Sequence, residues 1–204
     1  MAVISNGTTL ADAGAMSGLG SLTLIKTLTL SNAGTASFVD GTSSVVLDNT
    51  YPIYLFKFIN IHAATDTANF SFNGSIDSGS NYNVAKTTSY YYASHTEGGE
   101  SGQVSYNDNH DLAQGTGFQT LFEEAGNGGD ECGSGELYLF NPSSTTFVKN
   151  FAGRANNYHR ANITNDDNFA GYFNTTSAID AIQFKFSSGN IDSGLIKLYG
   201  IKDS

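Results

Sequence analysis

Apolar residues along this chain recur mostly at every second position. Leu22, Leu24, Leu28 and Leu30 alternate with polar neighbours, and Ile182, Phe184 and Phe186 alternate with Gln183 and Lys185. A period of two marks a strand with one buried face, because successive side chains point to opposite sides of the sheet. On this criterion strands are expected over 22–30, 37–39, 45–47, 53–61, 69–74, 82–95, 118–123, 136–140, 146–152, 169–174, 181–186 and 195–201. Ser31–Gly34, Asp40-Gly41, Asp48-Asn49 and Ser187–Asn190 punctuate them with turn-forming residues. The run from Ile53 to Ile61 is nearly continuous in apolar residues and predicts a central strand buried on both faces. Only short turns near Leu10–Ala15 and Asp111–Gln114 suggest helix. The phrase Ile76-Asp77-Ser78-Gly79 recurs as Ile191-Asp192-Ser193-Gly194, and both copies read as hairpin turns. Many short strands at spacings of roughly 8–15 residues define an all-β fold. The expectation is a single jelly-roll-like β-sandwich over 22–204, preceded by a short N-terminal arm over 1–21 that serves assembly or attachment.

Composition supports strands and tight turns. The chain has 204 residues, with 23 glycines, 14 phenylalanines and 11 tyrosines, and only 14% of residues are charged. Nine Lys and Arg against 19 Asp and Glu leave a net charge of −10. A nucleic-acid partner is therefore not expected, since such binding needs a basic surface that displaces counterions. No apolar run approaches the roughly 18 residues needed to span a bilayer as a helix, so membrane insertion is not expected either. Met1–Gly7 lacks the basic and apolar regions of a secretory leader. The single cysteine, Cys132, has no partner for an intrachain disulfide.

Candidate chemistry is sparse. The chain has no phosphate-binding glycine loop with lysine, no HExxH, no CxxC and no nucleophile elbow. His62, His95, His110 and His159 are scattered, with no pair at metal-ligand spacing. Glu123 and Glu124 precede a glycine-rich loop carrying Asp130, Glu131 and Glu136, and a second acidic cluster lies at Asn165–Asn168. Hard oxygen ligands on flexible loops suit Ca²⁺, but the spacing matches no regular calcium loop, so no metal or other cofactor is expected. A pair of carboxylates from distant strands would suit glycoside hydrolysis, yet nothing in the sequence selects a pair, and no catalytic residue is assigned. Tyr90 and Tyr92 share one face of a strand and form the candidate ligand platform, because a tyrosine ring offers a flat stacking surface and a hydroxyl.

The segments Tyr54–His62 (YLFKFINIH), Asp77–Asn83 (DSGSNYN), Leu137–Lys149 (LYLFNPSSTTFVK) and Ala170–Gly200, ending in IDAIQFKFSSGNIDSGLIKLYG, resemble β-rich virion structural proteins of tailed bacteriophages, especially those of marine bacteria. The resemblance spans roughly 22–201 and carries no catalytic signature, so it transfers no functional residue. It implies a non-enzymatic particle component, either a capsid decoration or fibre or a tail-fibre component, assembled in the host cytoplasm. The implied partners are copies of the chain itself, with a trimer favoured, other virion proteins and host surface glycans. A carbohydrate-binding module of β-sandwich type is the alternative, and a glycan-cleaving enzyme comes third. The arm's apolar residues Val3, Ile4, Leu10, Met16 and Leu19 point to ordering against a neighbouring subunit.

Overall fold

The computed structural model describes residues 22–202 throughout, and before them the backbone of three short strands, β1 (Val3–Ser5), β2 (Thr8–Asp12) and β3 (Ala15–Met16). These three pair in order as a small antiparallel sheet. Leu10 thus stands in a strand where a helical turn was expected. The side chains of the arm lie outside the described residues, and so does the expectation that they order against a neighbour.

Twelve strands follow: β4 (Leu22–Ala33), β5 (Ala36–Val39), β6 (Ile53–Ala63), β7 (Ala68–Ser75), β8 (Lys86–Thr96), β9 (Gly102–Tyr106), β10 (Gln119–Ala125), β11 (Gly133–Phe140), β12 (Lys149–His159), β13 (Ile163–Phe173), β14 (Ala181–Phe186) and β15 (Ile191–Ile201). All their pairings are antiparallel, and the described residues contain no helix. Eight strands form one sheet in the order β4-β15-β6-β11-β12-β13-β8-β9, and four form a second in the order β10-β7-β14-β5. The sheets join at one rung, Ala125 of β10 opposite His159 of β12. The result is the expected all-β, jelly-roll-like sandwich, nearly closed into a barrel.

The core between the sheets is aromatic. Phe184, at the centre of the smaller sheet, packs its ring against those of Phe38, Phe56, Phe58, Phe70 and Phe72, with centroid separations from 5.2 to 6.3 Å. Phe56 and Phe58 belong to the larger sheet, so these contacts cross the sandwich. Phe72 extends the packing to Phe151 and Phe173 on β12 and β13. Gly153 supplies the room that Phe169 needs: a Cβ there would lie within 2.5 Å of the Phe169 ring and of the Glu136 carbonyl oxygen.

Several local expectations need correction. Val45 and Leu47 are buried but form no strand; Leu47 N–H donates instead to Asp40 Oδ1 at 2.8 Å within a turn. Residues 82–85 are irregular, and β8 starts at Lys86. Asp111–Gln114 is not helical but part of a loop whose Leu112 carbonyl accepts from Thr88 N–H at 2.9 Å. The Ile53–Ala63 strand is buried on both faces only around Leu55, and alternates beyond it. Ile76–Gly79 is a turn, whereas Ile191–Gly194 opens β15 as a bulged segment. There Gly194 has φ of 132°, and a Cβ would meet the Asn60 carbonyl oxygen at 2.8 Å. Only glycine tolerates that conformation and that approach.

Replacing Phe184 with Ala is expected to lower stability by roughly 3–5 kcal/mol, the usual cost of emptying a packed aromatic site. Urea denaturation of the two proteins measures it, and a loss below about 1 kcal/mol would contradict the central role given to this ring.

Candidate functional site

The antiparallel register aligns one row of residues across the outer face of the larger sheet. From one edge to the other it runs Tyr106, Tyr91, Asn168, Arg154, Glu136, Lys57, Lys197 and Thr27. Arg154 holds Asp166 with two parallel bonds, Nε–Oδ1 at 2.6 Å and Nη2–Oδ2 at 2.7 Å, and Lys57 lies 3.5 Å from Glu136. These groups border a shallow groove of about 620 Å³ together with Ser134 and Asn156. At the end of the row, beyond Asn168, Tyr91 and Tyr106 stand opposite each other, 48% and 58% exposed. The Tyr106 hydroxyl donates to Asp111 Oδ2 at 2.5 Å. Flat rings beside a paired guanidinium, carboxylates and amides form a surface able to stack on a sugar ring and bond its hydroxyls.

The platform expected from Tyr90 and Tyr92 is not formed. Alternation along β8 holds, but the face shared by these two residues is the inner one. Tyr90 is wholly buried, and its hydroxyl donates to Asp167 Oδ1 at 2.5 Å. Tyr92 is half-buried against the core, and its hydroxyl accepts from Gln103 Nε2 at 2.9 Å. The exposed ring is Tyr91, on the opposite face. Edge strand β9, which supplies Tyr106, was not visible in the sequence because GQVSY holds a single aliphatic residue.

Behind Tyr90 lies a buried polar network. Asn165 Nδ2 donates to Asp167 Oδ1 at 2.9 Å and to Glu123 Oε1 at 3.4 Å. Glu123 Oε2 also meets Asn107 Nδ2 at 2.9 Å and His110 Nε2 at 2.7 Å. Asp167 Oδ2 is buried with no partner among the described residues. Burial without a cation pushes the Asp167 carboxyl up to about 8, and the nearby Glu123 and Asp166 charges act in the same direction. Burial and the Asp167 charge raise the Tyr90 hydroxyl well above its ordinary value. Asn165 thus links two carboxylates, but Asp167 is closed to any substrate.

The remaining candidates are dispersed. Glu131 turns back on its own loop and accepts from Gly128 N–H at 2.5 Å, while Asp130 borders a second groove beside His95, Glu97, Cys132 and Tyr158. His62 sits 3.2 Å from Asp192, and His159 lies 3.1 Å from Glu124, which Arg160 also binds at 2.8 Å. Within Asn165–Asn168 the odd residues face the core and the even ones face outward. Among the described residues no three His, Cys, Asp or Glu side chains converge as a metal site would require. No family model, curated protein or solved structure matches this chain.

Because the Asp167 carboxyl titrates higher folded than unfolded, its contribution to stability is complete below about pH 4 and is lost as pH rises towards 8. Asp167→Asn removes this dependence. The melting temperature of the variant minus that of the wild type is therefore expected to increase between pH 5 and pH 8. A difference that stays constant over this range would show that Asp167 ionises normally.

Proposed function

We propose that this chain is a non-enzymatic structural protein of a tailed-phage virion. It is surface-exposed as a capsid decoration or fibre or as a tail-fibre component, and it assembles with copies of itself, a trimer being favoured. The observation that carries the reading is an apolar band on the outer face of the larger sheet. Cross-strand register sets Leu24, Tyr199, Leu55 and Tyr138 in one row, and Leu22, Ile201, Ile53 and Phe140 in the next. Leu22 and Leu24 are 47% and 52% exposed and Phe140 is also exposed, Ile53, Tyr138, Tyr199 and Ile201 are half-buried, and Leu55 is buried beneath the band. Contiguous apolar surface of this kind marks an interaction site. The sequence resemblance to virion proteins supports the same reading.

Light scattering is expected to report an oligomer for the full chain, and Leu24→Asp is expected to shift it towards monomer while leaving the strand signal of circular dichroism intact. A monomeric wild type would count against the reading. So would absence of the protein, by mass spectrometry, from purified particles of the phage that encodes it.

A second reading, a carbohydrate-binding module, draws on the Tyr91–Tyr106 pair beside Arg154 and Asp166. In a virion protein the same surface would contact host glycans. On a glycan array, Tyr91→Ala is expected to reduce binding by about tenfold, the factor that corresponds to losing one stacked ring. An array with no wild-type signal would remove the glycan from both readings.

A further inference from the structure

Two lysines are buried in the sandwich, and among the described residues no carboxylate pairs with either. Lys149 Nζ donates only to main-chain carbonyls, those of Phe147 at 3.0 Å and Thr175 at 3.2 Å. Lys86 differs, because its Nζ meets a side-chain amide. It donates to Asn73 Oδ1 at 2.6 Å and to the Val84 carbonyl at 2.9 Å, and lies 5.5 Å from the centre of the Phe173 ring. Lys86 and Asn73 are both wholly buried. With a C=O bond of about 1.23 Å, the Asn73 amide carbon lies no more than about 3.8 Å from Nζ.

We propose that Lys86 and Asn73 become joined by an isopeptide bond that the folded protein forms on itself. Lys86 Nζ attacks Asn73 Cγ, forming the Nζ–Cγ bond. The tetrahedral oxygen that develops is Oδ1, which already accepts the Gly74 N–H at 2.8 Å and so has a donor aimed at its growing negative charge. One proton passes from Nζ to Nδ2, the Cγ–Nδ2 bond breaks, and ammonia leaves. Oxidation states are unchanged and no co-reactant is needed.

Two features favour the reaction. Three carbonyls surround Nδ2, those of Tyr82 at 2.8 Å, Thr116 at 2.9 Å and Gly117 at 3.3 Å. That is one acceptor more than an amide nitrogen has hydrogens, and as many as ammonia carries. The amine is also held in its nucleophilic form: burial with no counter-ion brings Lys86 down to about 7, so most of it is uncharged at pH 8. The bond would tie β7 of the smaller sheet to β8 of the larger one at the end of the sandwich near Phe173.

Intact mass spectrometry of the full chain, purified and held at pH 8, tests this. The main species is expected to be lighter than the sequence mass by about 17 Da, one ammonia. Chymotrypsin, cutting after Phe72, Tyr82 and Tyr90, is expected to release Asn73–Tyr82 still joined to Asn83–Tyr90. Lys86→Arg is expected to restore the full mass, with Lys149 unmodified in both proteins. A wild-type chain at its full sequence mass would overturn the proposal without recourse to any variant. So would an ammonia loss accompanied by hydroxylamine cleavage of the chain at any of its Asn-Gly pairs, Asn6-Gly7, Asn73-Gly74 or Asn127-Gly128, because that result identifies a cyclic imide.

Discussion

The packing of phenylalanine rings around Phe184 is the interaction on which the sandwich depends. Eight strands face four, and the hydrogen-bond ladder passes between the sheets at only the Ala125–His159 rung. Backbone bonding therefore fixes each sheet internally but does little to hold one against the other. That falls to side chains, and large flat rings meeting edge to face fill the space between curved sheets with few voids. The glycine at 153 belongs to the same solution, since it yields its own volume to a neighbouring ring.

At its two ends the aromatic core gives way to polar groups. At one end Tyr90, Asn165, Asp167 and Glu123 form a connected network, in which a carboxyl held neutral costs far less than a buried charge. At the other, Lys86 and Lys149 project towards amide and carbonyl oxygens near Phe173. A chain with so few lysines places two of them where water cannot reach, and this is difficult to explain as solubility or surface chemistry.

How much could be read from the sequence depended on what each inner face carries. Strand β14 was visible in full, because Ile182, Phe184 and Phe186 alternate without interruption. The first half of β13 and the second half of β12 were not, because Asn157, Asn165 and Asp167 occupy inward positions and erase the hydrophobic period. On β8 the inward-facing Lys86 hid the side on which Tyr90 lies: the period separates Tyr91 from its neighbours but is silent on which face is wet. The outer row from Tyr106 to Thr27 had no signature along the chain at all. It arises from pairing between strands far apart in sequence, and register of that kind is set by bulges and turns such as the one at Gly194.

Leu22 opens the sandwich and Ile201 stands directly opposite it in the antiparallel ladder. The two ends of the sandwich therefore share one corner, and the loops at its opposite end carry neither of them. Chain running in and out beside itself can be lengthened, or set within a longer polypeptide, without passing through the ring-filled interior.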